Sequence, residues 1–176
     1  SNPTCTSSRT RVIVELIGNP ITPEYEDLKS LVLSDDFSWY YERNPKDDFH
    51  FYSHVFLERP HPDRRFPAIT SPHMELANTV INQIFDYNNL DVNYIFRYNA
   101  NAVHPWFYNV DTTARHVDHD FKHTNLLVYL TDAGGDTVTM DGPHTPVEDD
   151  VLLFNGEHCH RFPLRDRRVV LIVTFN

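Results

Sequence analysis

The last third of the chain, residues 113–175, decides the fold, and its informative sequences are Arg115-His116-Val117-Asp118, Asn125-Leu126-Leu127-Val128-Tyr129-Leu130, Gly134-Gly135-Asp136-Thr137, Val151-Leu152-Leu153-Phe154-Asn155-Gly156, His158-Cys159-His160 and Arg168-Val169-Val170-Leu171-Ile172-Val173-Thr174-Phe175. Apolar runs rich in Val, Leu and Ile, separated by Gly, Asp and Asn, predict short strands joined by turns. The histidines and carboxylates of this region are far apart in sequence. They can meet only if the strands between them fold into one barrel.

The rest of the sequence predicts helices that support this barrel. Thr22-Pro23-Glu24 is a helix start, and apolar residues continue the helix on one face to about Leu33. A second helix is predicted to start at Ser71-Pro72 and to stop at Asn88-Asn89. From residue 91 onward the strands are predicted at 92–101, 124–130, 137–140, 151–154, 158–162 and 168–175. The expected fold is mostly β (α+β), a sandwich or jelly-roll barrel with about two helices on one outer face.

Length and composition indicate one globular domain over residues 1–176. At 176 residues and 40% hydrophobic residues, the chain is large enough to bury a core. Residues 1–10 are small and polar and are expected to form a loose tail, whereas 91–176 should form the core barrel that carries the site.

Charge and cysteine content limit the possible partners and compartment. The net charge of −10 argues against a nucleic-acid partner, because such proteins usually present a basic face to phosphates. No apolar run is long enough to span a membrane. The two cysteines, Cys5 and Cys159, form no disulfide framework, which is typical of a reducing, intracellular setting such as the cytoplasm.

One group of residues has the composition of a metal site. If His116 and Asp118 lie on a strand, their side chains share one face and could chelate an ion together. The alternative is an ordinary polar surface turn. A third ligand would come from His158 or His160, which also share a face and compete for the role. Two His and one carboxylate match the facial triad of non-haem Fe(II) sites, whereas a structural zinc site usually has paired cysteines, which are absent.

Two adjacent arginines precede the last strand, and alternation allows only one of them to face the barrel interior. Arg168 begins the row that continues with Val170, Ile172 and Thr174, so Arg168 is the candidate for holding the carboxylate of a small acid. Tyr129 could add a hydroxyl donor from a neighbouring strand. The alternative is that both arginines are solvated and that Tyr129 is an ordinary barrel-wall residue.

The order of these motifs resembles a known family. His116-x-Asp118, Tyr129-Leu130, Gly134-Gly135-Asp136-Thr137, Phe154 followed six residues later by His160, and Arg168 resemble the Fe(II)- and 2-oxoglutarate-dependent oxygenases, within them the prolyl-4-hydroxylase-like group. Arg115-His116-Val117-Asp118 is similar to the iron motif of the hypoxia-sensing prolyl hydroxylases. Asp36-Phe37-Ser38-Trp39-Tyr40-Tyr41 and Arg97-Tyr98-Asn99-Ala100-Asn101 look like small oxygenases of cyanobacterial tailed phages. The strong match covers about 97–175.

This resemblance implies a double-stranded β-helix, a jelly-roll or cupin-like core, and a set of site residues. The implied iron ligands are His116, Asp118 and His160. His160 is preferred to His158 because the family's distal His shortly precedes a proline, here Pro163. The residues implied to bind 2-oxoglutarate or to line its pocket are Arg168, Tyr129, Thr137, Asn101 and Ile172.

The implied activity is hydroxylation of a substrate with release of succinate and CO₂. Its cofactors would be Fe(II), 2-oxoglutarate as cosubstrate and O₂, with ascorbate as an optional reductant. Kinship favours a prolyl residue of a peptide or protein as substrate, although a small molecule is an alternative, and the cytoplasm (that of the host for a phage protein) as location. The alternative functions are a non-catalytic β-helix binding module and a nucleobase-oxidising enzyme on the same fold.

Overall fold

The computed structural model describes residues 11–63, 67–105 and 110–176, so the predicted loose tail at 1–10 lies outside the described residues. The helices are α1 (Pro23–Leu33) and α2 (Met74–Tyr87). The strands are β1 (Val14–Ile17), β2 (Tyr40–Asn44), β3 (Phe49–Glu58), β4 (Ala68–Ile69), β5 (Ile95–Val103), β6 (Thr124–Tyr129), β7 (Thr137–Thr139), β8 (Gly142–His144), β9 (Val151–Phe154), β10 (Cys159–His160) and β11 (Arg168–Phe175). No helix in these ranges is both long and apolar enough to cross a membrane.

Helix α1 begins and ends where the sequence predicts. The Thr22 hydroxyl accepts a hydrogen bond from the Tyr25 N–H at 3.1 Å, and Pro23 occupies the first helical position. The buried face carries Tyr25, Leu28 and Val32. The local signal of Thr22 and Pro23 thus marks the start of the helix.

Helix α2 begins later than predicted, at Met74 instead of Ser71. The Ser71 hydroxyl accepts from the His73 N–H at 3.1 Å and bonds the Nε2 of His54 on β3 at 2.7 Å. Ser71 therefore belongs to a turn that is hydrogen-bonded to the sheet, and the helix starts only after this turn. The buried face of α2 carries Ala77, Val80, Ile81, Ile84 and Phe85.

Two antiparallel sheets form the body of the molecule. The large sheet has the order β1-β9-β6-β11-β5-β3-β2, with β4 paired to β3, and the small sheet has the order β10-β7-β8. The hydroxyl of Tyr129 on the large sheet bonds that of Thr137 on the small one at 2.5 Å, so the two sheets face each other. This mostly antiparallel architecture with two helices confirms the predicted fold class.

Strand β11 lies at the centre of the large sheet, between β5 and β6, and separates two cores. Val169, Leu171, Val173 and Phe175 face the side where the two helices pack. Val170 and Ile172 face the small sheet with Leu127, Tyr129, Leu152 and Phe154. The alternation predicted for residues 168–175 is confirmed, and Arg168 begins the row that faces the small sheet.

Candidate metal and 2-oxoglutarate site

The segment that contains His116 and Asp118, for which the sequence left a strand and a surface turn open, is not part of a regular strand. It is irregular, and a single antiparallel bridge positions it, in which His116 and His158 exchange two backbone hydrogen bonds of 3.0 Å. Nearby, the Thr113 N–H donates to the His160 carbonyl oxygen at 2.9 Å, and the His160 N–H donates to the Thr113 hydroxyl at 3.0 Å. These bonds hold the two histidine-bearing segments side by side.

Three imidazoles converge at this bridge. The ligand atoms of His116, His158 and His160 all lie within 4.8 Å of one another, which is the arrangement of a metal site. The ring centroids of His116 and His158 are 4.5 Å apart, and those of His158 and His160 are 5.2 Å apart. The structure therefore brings both candidates for the distal ligand to the same place, where the sequence predicted a competition between them.

The Nδ1 atoms of the three rings already have partners. Nδ1–H of His116 donates to the carbonyl oxygen of Ala114 at 2.9 Å, and that of His158 donates to Gly156 O at 3.4 Å. Nδ1 of His160 lies 3.3 Å from the Thr137 hydroxyl. Such bonds fix the ring orientation in metal sites and leave Nε2 available as the ligand atom.

Asp118 adds an ionised carboxylate. Its Oδ1 lies 3.7 Å from Nε2 of His116 and 3.4 Å from Nη1 of Arg97. Burial alone would raise the pKa of Asp118, but Arg97 and the three histidines outweigh burial and hold the pKa well below its usual range. Burial also lowers the pKa of His158 and, more strongly, that of His160. A charged carboxylate and neutral imidazoles are the forms that bind a divalent metal.

Arg168 lies at one end of the inner face of the large sheet, which is the face turned toward the small sheet. It is 4% exposed, and its Nη1 donates to the carbonyl oxygens of Gly135 and, at 2.9 Å, Arg161. Gly135 has a φ of +82°, and a Cβ at this residue would lie 2.7 Å from Nη1 of Arg168. The Gly134-Gly135 turn thus gives the guanidinium room that a larger residue would occupy. The result is a buried cation suited to a carboxylate.

Tyr129 and Thr137 form a hydrogen-bonded pair beside the histidines. The Tyr129 hydroxyl is bonded to Thr137, and Thr137 contacts His160. Burial raises the pKa of Tyr129 to about 12, so its hydroxyl keeps its proton and acts as a donor. Asn101 pairs with Val170, and Ile172 is two residues further on the same face. All five residues predicted to bind or line a 2-oxoglutarate pocket therefore lie on facing surfaces of the two sheets.

The sequence analysis did not identify the residues that lie next to Asp118 on the side away from Arg168. Arg97 bonds the side chain of Asn99 at 2.6 Å, and Asn99 bonds that of Asn101 at 2.6 Å. Arg59 donates to the Asp118 carbonyl oxygen at 3.3 Å. The period-two pattern Arg97, Asn99, Asn101 was a visible signal for one shared face. Nothing in the local sequence pointed to Arg59.

A separate cavity of about 770 Å³ contains none of these site residues. Its walls include Trp39, Tyr41, Tyr52, Ala102 and Arg167. Ala102 and its paired neighbour Tyr52 lie on the face of the large sheet opposite to Asn101. The cavity is therefore distinct from the histidine cluster.

No protein-family model matches the sequence, and no curated protein is significantly similar to it. Solved structures do resemble it. An oxidoreductase of the 2OG-Fe(II) oxygenase family from Burkholderia pseudomallei has a TM-score of 0.62 at 16% identity, over 86% of this chain and 77% of that one. A Trichoplax adhaerens prolyl hydroxylase, solved with a hypoxia inducible factor peptide fragment, has a TM-score of 0.59 at 12% identity, over 92% and 82%.

A viral collagen prolyl hydroxylase from Paramecium Bursaria Chlorella virus-1, solved as a 2OG complex, has a TM-score of 0.53 at 12% identity. The match covers 92% of this chain and 94% of that one. Identities this low establish similarity of fold, and the coverage shows that the similarity extends over nearly the whole chain. The resemblance predicted from the motifs is confirmed at this level: the chain has the double-stranded β-helix fold of the 2OG-Fe(II) oxygenases and prolyl hydroxylases.

Proposed function

We propose that this chain is an Fe(II)- and 2-oxoglutarate-dependent dioxygenase that hydroxylates its substrate and releases succinate and CO₂. The observation that carries the proposal is the convergence of three imidazoles beside the ionised Asp118, with the hydrogen-bonded pair Thr137 and Tyr129 next to His160 and the buried Arg168 on the same side of the sheet. When bound, Fe(II) and 2-oxoglutarate supply the O₂ activation that neither a side chain nor a backbone group can provide.

The side chains have separate roles in this proposal. His116, Asp118 and His160 would hold the metal. Two imidazoles and one carboxylate would leave coordination positions for 2-oxoglutarate and O₂. His158 is the alternative distal ligand, since it belongs to the same cluster of three imidazoles.

Arg168 would bind the far carboxylate of 2-oxoglutarate, and the protonated Tyr129 would add a hydroxyl donor. Thr137, Asn101 and Ile172 would line the same pocket. The guanidinium is already buried and fixed by two carbonyl oxygens, so little further ordering is needed when the carboxylate binds.

A prolyl residue of a peptide or protein is the substrate that we propose, in the cytoplasm. Two similar folds belong to prolyl hydroxylases, one of them solved with a peptide. The buried Cys159 is a free thiol, which suits a reducing compartment. Fold alone does not select a substrate, so the substrate must be tested directly.

The test has a binding part and a turnover part. We expect the purified protein to bind one Fe(II), or Mn(II) in its place, per chain by calorimetry, and to release succinate from 2-oxoglutarate with prolyl peptides. Asp118→Ala and His116→Ala should weaken metal binding by more than about 100-fold, because lost ligands cost more than lost outer contacts. His73→Ala, a half-buried histidine at the start of α2, is the control. Undiminished metal binding in both site variants would refute the ligand assignment, and metal binding without turnover would favour the binding module.

A further inference from the structure

A second pair of cations lies on the side of Asp118 away from Arg168. Arg97, on β5, places its Nη1 3.4 Å from the Asp118 carboxylate, and only 11% of its side chain is exposed. Arg59, just after the end of β3, donates its Nη1 to the carbonyl oxygen of the same aspartate at 3.3 Å. Two guanidiniums therefore converge on one residue of the proposed metal site.

These cations are far from the proposed 2-oxoglutarate anchor. On β11, Arg168 pairs with Val103, and Thr174 pairs with Arg97. Six residues of strand separate the two positions, which corresponds to roughly 20 Å. His160 lies at the Thr137 and Tyr129 end, and Asp118 lies at the Arg97 end. One carboxylate of 2-oxoglutarate thus cannot occupy both cationic positions.

Within the described ranges, one carboxylate faces two guanidinium groups at this end of the site. Among the described residues, Asp118 is the only carboxylate within 4.0 Å of Arg97, and no carboxylate is that close to Arg59. A bound metal would share the charge of Asp118 and leave both guanidiniums without a full counter-charge. The chain carries a net charge of −10, so this positive end is not part of a generally basic surface.

The hydrogen-bond donors of Arg97 and Arg59 also favour an anionic ligand. Arg97 uses Nε for Asn99 and Nη1 for Asp118, and its other terminal nitrogen makes no hydrogen bond within the described part of the chain. Arg59 is an exposed residue and contacts only a backbone oxygen there. Partly buried guanidinium groups with unused N–H groups bind carboxylates well, because several N–H bonds can form at once.

We infer that the primary substrate carries a carboxylate, which Arg59 and Arg97 bind on the side of the metal site opposite to Arg168. The inference rests on the proposed oxygenase function and narrows its substrate class to acidic molecules. The carboxylate belongs either to a free acid or to an acidic side chain next to the reacting residue of a peptide.

Arg59 is the residue to change, because Arg97 also holds the Asp118 side chain and Asn99. The protein is first loaded with Mn(II) and N-oxalylglycine, an inert analogue of 2-oxoglutarate, and both affinities are recorded. Calorimetry then compares two pairs of probes that differ in charge alone: N-acetyl-L-proline with N-acetyl-L-prolinamide, and the capped peptides Ala-Pro-Glu and Ala-Pro-Gln. The first pair represents a free acid and the second a peptide.

In the wild-type protein we expect at least one carboxylate probe to bind about tenfold or more tightly than its amide, which corresponds to about 1.4 kcal/mol. Arg59→Ala should reduce that preference to less than about threefold. Arg59→Lys should keep part of it, and the exposed Arg43, which pairs with Asp48 on the β2–β3 hairpin, provides the control variant Arg43→Ala. Mn(II) and N-oxalylglycine affinities should be unchanged in all three variants.

Equal binding of acid and amide in both pairs, or no binding of any probe, would overturn the inference, as would an unchanged preference in Arg59→Ala. Failure of Mn(II) or N-oxalylglycine to bind the wild-type protein would instead refute the proposed function. The two failures are therefore distinguishable in one series of titrations.

Discussion

The two faces of the large sheet share the same backbone hydrogen bonds but carry different kinds of side chain. On the helix-covered face, β6 and β11 present mostly buried apolar residues, among them Leu126, Val128 and Leu171. On the inner face the same strands present Asn125, Tyr129 and Arg168 between apolar residues. The outer face supplies most of the apolar core, and the inner face supplies the site.

Both faces of the large sheet bury polar atoms that have no hydrogen-bond partner among the described residues, including the Tyr98 hydroxyl on the helix-covered side. Both amide atoms of Asn125 are buried without a hydrogen-bond partner among the described residues, as is Nε2 of His123. A buried polar atom without a partner costs about 1–3 kcal/mol. The polar side chains of the inner face are the ones that the proposed function uses, and the larger apolar core lies under the helices.

The largest effect should follow from removing the distal histidine, which lies on β10 of the small sheet opposite the inner face. We expect His160→Ala to eliminate succinate release, since His160 contacts Thr137 and through it Tyr129. His158→Ala should leave the metal bound and reduce activity less. Succinate assays and Mn(II) titrations of both variants measure this difference. The reverse order would assign the distal ligand to His158.

The next largest effect is on stability, and it comes from replacing two neighbouring leucines that lie on opposite faces of the large sheet. Leu126 is 0% exposed under the helices, and Leu127 is 3% exposed between the sheets. Leu126→Ala should lower the free energy of unfolding by about 3–5 kcal/mol, and Leu127→Ala by about 2–3 kcal/mol, because the cost of a cavity falls when its surroundings are more open. Urea denaturation of both variants measures the free energies. A larger loss at Leu127 would mean that the inner core contributes more to stability.

Features with local signals were predictable from the sequence. Thr22-Pro23 marked the start of α1 because the cap and the helix are adjacent in the chain. The alternation in residues 168–175 identified the inner face of β11, and with it Arg168, because strand periodicity is local as well. The candidate 2-oxoglutarate residues were found through this alternation and the family resemblance together.

Features set by distant contacts were not predictable. The position of His116 and Asp118 depends on a bridge to His158, 42 residues later in the chain (158 − 116), so the sequence left a strand and a surface turn open as alternatives for this segment. The bond between Ser71 and His54 delays the start of α2 in the same way. The approach of Arg59 to Asp118 depends on how the end of β3 lies against the segment around residue 118, which no sequence period records.

The smallest of the three effects tests which face of β11 binds the cosubstrate. Arg168 is buried on the inner side and contacts two carbonyl oxygens, whereas Arg167 lines the cavity on the helix side and donates to the Leu33 carbonyl oxygen at 3.2 Å. Arg168→Ala should raise the apparent 2-oxoglutarate constant by at least about thirtyfold. This is the low end of the roughly 2–5 kcal/mol for truncating a buried charge pair, at about 1.4 kcal/mol per decade.

Arg167→Ala is the matched control, because it removes the same side chain one residue away. It should change the 2-oxoglutarate constant only a few-fold, since a partly solvated charge contributes about 0–1 kcal/mol. Metal affinity should barely change in either variant, because neither arginine contacts the three histidines or Asp118. Anaerobic titration of the Fe(II)-loaded variants with 2-oxoglutarate measures the constants, and thermal unfolding checks that Arg168→Ala is folded. Equal effects, or a larger one at Arg167, would place the cosubstrate on the helix-covered side. The inner face would then hold a metal site without its carboxylate anchor.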